Sequence, residues 1–113
     1  MAKNKNLKKY MLSRGIVGIA VAVIADYDRR KRDIEKGALS DGLVSSYTRY
    51  NTIVDSALEC IEPGARREIL NDISRGRGYN SSLISYMYCK TTYYLRKREV
   101  IYRVAEQLML VEK

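Results

Sequence analysis

Leu43, Tyr47, Tyr50, Val54, Ala57 and Ile61 recur at steps of three and four residues, and the series stops at Glu62-Pro63-Gly64. Side chains three and four apart share one face of a helix, whereas a strand alternates them every second residue. The series therefore predicts a long helix, starting at Ser40 or Asp41, either of which suits an N-cap. Pro63, the only proline of the chain, sits where a turn or the first position of a new helix would want it. That new helix is expected over about Pro63 to Arg75, with Ile69, Leu70 and Ile73 inward, and Arg75-Gly76-Arg77-Gly78 breaks it. In 113 residues such elements have room for one domain with one modest core.

Upstream, the run I-V-G-I-A-V-A-V-I-A from Ile16 to Ala25 predicts a helix from about Ser13 to Lys36, ended by Gly37 in the C′ position. Ile16, Ala20, Val23, Tyr27 and Ile34 fall at helical spacing. Ile19, Val21 and Ala22 are apolar too, so the first half calls for burial on more than one side. A second subunit would supply part of it, with Gly15 and Gly18 allowing close approach. The alternative is a buried strand over Ile16 to Ile24, because Val and Ile also favour strands. The basic start (Lys3, Lys5, Lys8, Lys9, Arg14) followed by an apolar run has the outline of a secretory signal peptide. The charged D-Y-D-R-R-K-R that follows hinders export, and the run is too short to span a membrane.

Hydrophobic residues make up 46% of the chain, the net charge is +8 and the pI is about 9.6. That charge points to a polyanionic partner, nucleic acid before an acidic membrane surface. There is no histidine, and Cys60 and Cys89 form no C-x-x-C pair. Both facts speak against a zinc site and against the commonest general base. No nucleophile–base pattern, phosphate-binding glycine loop or telling carboxylate pair is present. An enzyme, a cofactor or a small-molecule substrate is therefore not expected. Two ordinary thiols in a cytoplasmic protein are favoured over a Cys60–Cys89 disulfide.

The C-terminal third carries the most specific pattern. A short helix is expected over Ser81 to Tyr88, capped by Asn80 or Ser81, with Leu83, Ile84 and Met87 in the core. A link of about three residues leads to Thr91, a second capping candidate, and a longer basic helix runs from Thr92 to about Leu108. Short helix, tight turn and basic helix in this order form the pattern of a helix-turn-helix, whose second helix lies in the major groove of DNA. At 100° per residue, Tyr94, Ile101, Ala105 and Leu108 face inward with Val104 close by, while Thr92, Arg96, Glu99 and Arg103 face out, with Tyr93 and Lys97 on the flank. Arg96 has the fork to pair with guanine or phosphate, and Glu99 is placed to orient it. Thr92 suits a base edge, Lys90 and Thr91 a phosphate at the helix start, and Tyr93 a sugar or phosphate. Arg75, Arg77, Ser81 and Ser82 are placed to grip the neighbouring backbone. Tyr86 and Tyr94 are expected between the two helices.

The window G-Y-N-S-S-L-I-S-Y-M-Y-C-K-T-T-Y-Y-L-R-K-R-E-V-I-Y-R-V-A-E-Q-L, Gly78 to Leu108, resembles the C-terminal end of small phage-encoded transcriptional regulators of the ArpU/RinA type. Their helix-turn-helix is similar to region four of sigma factors. The resemblance implies a DNA-binding activator with Lys90, Thr91, Thr92, Tyr93, Arg96 and Lys97 toward DNA, and host RNA polymerase as a candidate contact.

The expectation is thus an all-α protein, a small helical domain with a C-terminal helix-turn-helix preceded by a long N-terminal helix. Residues 1–37 would form a basic arm and apolar dimerisation helix. Residues 38–113 would form the helical domain, with the helix-turn-helix at about 79–108. Its function would be that of a homodimeric regulator of transcription, of phage or mobile-element origin, on double-stranded DNA. The N-terminal lysines would add sequence-independent attraction. The alternatives are a helical module that binds a host protein without DNA and, behind it, a peripheral membrane protein using the basic start and the apolar run.

Overall fold

The computed structural model describes residues 10–111; the lysines of the N-terminal arm lie outside them. The described chain is all-α, with helices α1 (Arg14–Ala25), α2 (Tyr27–Lys36), α3 (Asp41–Ala57), α4 (Arg66–Arg75) and α5 (Lys90–Gln107), and no strand. Three short 3-10 turns, Leu58–Cys60, Pro63–Ala65 and Tyr79–Ser81, join them. The strand alternative for Ile16 to Ile24 is thereby set aside.

The helix ends follow local chemistry. Ser13 and Ser40 each accept a hydrogen bond on the side chain from the N–H three residues on, Ile16 and Leu43, both at 3.3 Å. This is the arrangement that satisfies otherwise unpaired N-terminal donors. Gly37 terminates α2 in the left-handed region. Gly76 does the same for α4, with Arg77 N–H on the Asp72 carbonyl (2.8 Å) and Gly76 N–H on Ile73 (3.3 Å). Those two crossed bonds are a Schellman cap.

The single helix expected from Ser13 to Lys36 is broken at Asp26. The cause is a side chain inserted at the break, one of the recognised origins of a kink. Arg30, 3% exposed, donates from its guanidinium to the Val23 carbonyl at the end of α1 and from Nε to Asn51 Oδ1 of α3 (2.7 Å). Asn51 in turn donates to the Tyr27 carbonyl (3.3 Å). The buried cation thus sits on the Val23 carbonyl in the last turn of α1, where the dipole favours it, and beside the Tyr50 ring (5.7 Å).

α1 packs across α4 and α5, α2 lies chiefly along α3, and α3 leans on α5. One core results: Ala20 and Ile24 of α1 join Ile53, Val54 and Ala57 of α3, Ile69 and Ile73 of α4, and Val100 and Val104 of α5. The apolar helix within residues 1–37 therefore contributes Ala20 and Ile24 to the core of the other helices. All-round burial of α1 is not found. Ala20 and Ile24 are buried, while Gly15, Gly18, Ile19, Ala22 and Ala25 are exposed. Apart from Ile19, the exposed residues among these are glycine and alanine, which leave little apolar area in water.

The helix expected over Ser81 to Tyr88 is absent. A 3-10 turn at Tyr79–Ser81 and turns over 83–87 take its place. Side chains have captured the backbone donors that a helix start would use: Leu83 N–H bonds Glu68 Oε2 (2.9 Å) and Ile84 N–H bonds Ser82 Oγ (3.2 Å). The window 79–108 consequently holds one α-helix, without the brace of a helix-turn-helix. Leu83 (75% exposed), Tyr86 (76%) and Met87 (38%), expected in the core, project outward, and only Ile84 of that segment's expected contacts is fully buried.

α5 ends in the same crossed-bond cap as α4, with Met109 N–H on Glu106 and Leu110 N–H on Ala105, both at 3.0 Å. Here the left-handed position, φ 64°, is held by Met109 rather than glycine, and the Met109 side chain is exposed. A side chain in that region costs about 1–2 kcal/mol, partly offset by the greater freedom glycine has in the unfolded chain. Met109→Gly should raise stability by roughly 0.5–1 kcal/mol, read as a higher denaturant midpoint at an unchanged m-value.

Candidate nucleic-acid interface

Charge is not spread evenly. Between Arg75 and Arg103 stand seven cations and one acid, Glu99, whereas the other described residues carry nine cations and eleven acids. This basic segment comprises the end of α4, the loop 76–89 and most of α5.

Tyr93 anchors the segment. It is completely buried, edge-on to Tyr79 (5.3 Å) and Tyr94 (5.1 Å). Its hydroxyl donates to Asp72 Oδ2 of α4 at 2.7 Å. Asp72 is itself fully buried. Arg77 Nε lies 3.1 Å from the other carboxylate oxygen without a hydrogen bond between them, so that attraction is ionic only. The Arg77 carbonyl accepts from Lys97 Nζ (2.7 Å), which also lies over the Tyr93 ring (5.2 Å). Burial lowers the Lys97 pKa, against the pull of Asp72. Tyr94 completes the joint: its hydroxyl accepts from Tyr79 N–H (3.1 Å) and sits where a Cβ on residue 78 would meet it at 2.9 Å, so Gly78 leaves the room.

The sequence-based contacts divide on this framework. Tyr93, expected to face DNA, is core, and Lys97 serves the loop from within. Ser82 is buried, with its hydroxyl 3.4 Å from Glu68. Arg77 is half-buried between Asp72 and Glu68. Arg96 and Arg103 do lie at the surface, but both hold Glu99, which is 5% exposed rather than outward. Arg96 Nη1 bonds Oε1 (2.9 Å), and Arg103 Nε and Nη2 bond Oε2 (3.1 and 2.9 Å). The orienting role expected of Glu99 toward Arg96 is present, extended to Arg103. Thr92 is half-buried, its hydroxyl 3.3 Å from Cys89 Sγ. Arg75, Ser81, Lys90 and Thr91 are exposed.

The inward face of α5 is therefore turned toward Tyr93, Val100 and Val104 from the expected Tyr94, Ile101 and Ala105, although Ala105 is buried as well. Tyr94 at 37% exposure is nearer the rim. Sequence reasoning passed over Arg98, which is exposed; like Arg75 and Lys90, it makes no ion pair among the described residues. Arg75 lies on α4 whereas Lys90 and Arg98 lie on α5, so no single helical periodicity groups the three.

The start of α5 adds polarity of the same sign. Cys89 occupies the N-cap without a capping bond from its side chain, so donors of the first turn remain available. Thr92 and the backbone N–H groups there hold the Cys89 thiol pKa below the ordinary value. Cys60, half-buried beside Glu99, is shifted upward by burial, and both thiols are free. Among the described residues no group of three His, Cys, Asp or Glu side chains could hold a metal ion, and no helix is long and apolar enough to cross a membrane. Comparison with protein-family models, curated proteins and solved structures finds no match to this chain.

Removing the Tyr93 hydroxyl strips a buried carboxylate of its one hydrogen bond to a side chain. Such bonds to charged groups are worth about 1.5–3 kcal/mol. Tyr93→Phe should lose that much in denaturant unfolding. Burial, then Asp72, raises the Tyr93 pKa above that of a free phenol, near 10. The stabilisation is thus complete below about pH 10 and is lost as pH climbs from there toward the folded value. The wild type should weaken above that pH more steeply than Tyr93→Phe does.

Proposed function

We propose that this protein binds double-stranded DNA through the basic segment formed by the end of α4, the loop 76–89 and the first half of α5. The observation that carries the reading is the segregation of charge: seven cations against one acid there, where the other described residues carry nine cations and eleven acids. Arg75, Lys90 and Arg98, exposed and without an ion pair among the described residues, are the phosphate contacts, with Thr91 and Ser81 as further hydroxyl donors. The first N–H groups of α5 present a partial positive charge to the same side. Arg96 retains an edge of its guanidinium free of Glu99 and stands as the candidate for contact in a groove. The four lysines at positions 3, 5, 8 and 9 carry half of the net charge and extend the attraction without sequence preference. Regulation of transcription by a dimer, in a phage or mobile element and with RNA polymerase as a further contact, is the role the sequence resemblance implies for such binding.

A binding partner that is protein is the second reading. A groove of about 420 Å³ between the start of α1 and α5, lined by Met11, Leu12, Val17, Arg98 and Ile101, favours it. A protein partner seated there would bind with weak salt dependence, in contrast to DNA.

Fluorescence anisotropy with a short labelled duplex between about 50 and 200 mM salt tests the proposal. Each neutralised phosphate contributes a slope of about −0.9 in log K against log salt. Lys90→Ala, Arg75→Ala and Arg98→Ala should each weaken binding to all sequences alike and reduce that slope by roughly 1. Binding that is absent at low salt, or a slope indifferent to all three substitutions, contradicts the proposal.

A further inference from the structure

Resting on the reading of a DNA-binding surface, we propose that Leu83 and Tyr86 form a wedge that enters between base pairs and unstacks them.

The loop carrying them is held at many points. Ile84 is fully buried and Tyr88 nearly so. Met87 and Tyr88 N–H groups both bond the Ile84 carbonyl, at 2.9 and 3.2 Å, closing a tight turn. Leu83 N–H is fixed by Glu68, and the Tyr79 hydroxyl donates to the Tyr88 carbonyl (2.8 Å). Alternate residues anchor the turn while Leu83 and Tyr86 stand out, each about three-quarters exposed. Two large apolar side chains are thus displayed on a backbone whose conformation is already set, and little freedom remains to be lost on binding.

Charge identifies the occupant. The loop is flanked by Arg75 before it and Lys90 after it, both unpaired among the described residues, and Glu99 is the only acid from Arg75 to Arg103. An apolar tip between cations fits a polyanion with a stacked apolar interior. Apolar side chains inserted at a base step partially unstack it and kink the duplex, and this requires only one or two of them. An acidic lipid surface offers the same combination, but interfacial binding scales with buried apolar area, and two side chains supply little.

The test uses the full chain and a short duplex containing 2-aminopurine, whose fluorescence rises on unstacking, with donor and acceptor dyes at the ends to report a kink. Wild type should raise the fluorescence and shorten the end-to-end distance. Leu83→Ala/Tyr86→Ala should remove both signals and weaken binding roughly 5- to 150-fold, the range found for loss of a stacked aromatic side chain. The salt slope should not change, because neither residue is charged. Tyr86→Phe should keep the signals. Wild-type binding without unstacking, or a double variant that still unstacks, overturns the wedge and leaves the DNA surface standing. So does a double variant that loses flotation with acidic phosphatidylserine vesicles while keeping its duplex affinity. Failure of wild type to bind the duplex at any salt concentration removes both proposals together.

Discussion

The buried bond from the Tyr93 hydroxyl to Asp72 is the constraint on which the C-terminal half depends. A carboxylate removed from water is costly unless it is hydrogen-bonded or paired. Asp72 has one such bond, from Tyr93, and one ionic neighbour, Arg77. Each partner comes from a different piece of chain: α4 gives the acid, the loop gives Arg77, and α5 gives Tyr93. Satisfying the carboxylate therefore sets the rotation of α5 and the path by which the loop leaves α4. Lys97 and Tyr94 then tie the loop down from the α5 side, through the Arg77 carbonyl and the Tyr79 N–H.

A second buried acid, Glu99, works on the opposite flank of the same helix. Its two oxygens are divided between Arg96 and Arg103, one helical turn before and after it. The cations of α5 are thus not one population. Lys97, Arg96 and Arg103 are engaged with the protein itself, whereas Lys90 and Arg98 are left to solvent. On the DNA-binding reading, Arg103 has spent its Nε–Nη2 edge on Glu99 while Arg96 has spent only Nη1, so of the two only Arg96 keeps an edge for guanine, and contact to phosphate carries more of the affinity than contact to bases. Such contacts position a protein on the duplex without supplying sequence information.

What was legible in the sequence was local. Ser13, Ser40, Gly37, Gly76 and Pro63 mark helix ends because each acts within a few residues of itself, and the Ile69, Leu70 and Ile73 face of α4 follows from periodicity alone. The turn at 79–88 was not legible, because one of its anchors is Glu68, fifteen residues upstream of the N–H it holds. The face of α5 was misjudged for a related reason. Glu99 reads as an outward residue by charge, and Tyr93 as a flanking one, yet both are buried because partners elsewhere satisfy their polar atoms. Arg30 was hidden in the same way among the cations Arg29 to Arg32. It is held inside by Asn51, twenty-one residues on.

These misreadings share a consequence for the binding surface. A pattern of apolar residues locates a core only when polar residues stay outside it, and here three ionisable side chains, Arg30, Asp72 and Glu99, are inside. Each is held there by polar partners from elsewhere in the chain or one turn away on its own helix. Glu68 and Ser82 fix the backbone of the loop, Ile84 and Tyr88 fill the available core, and no buried position remains for Leu83 or Tyr86. Their exposure follows from how the loop is anchored, and that anchoring fixes the backbone that carries them. Apolar side chains displayed on a fixed backbone are suited to insertion, since part of the order that binding requires is already present in the free protein.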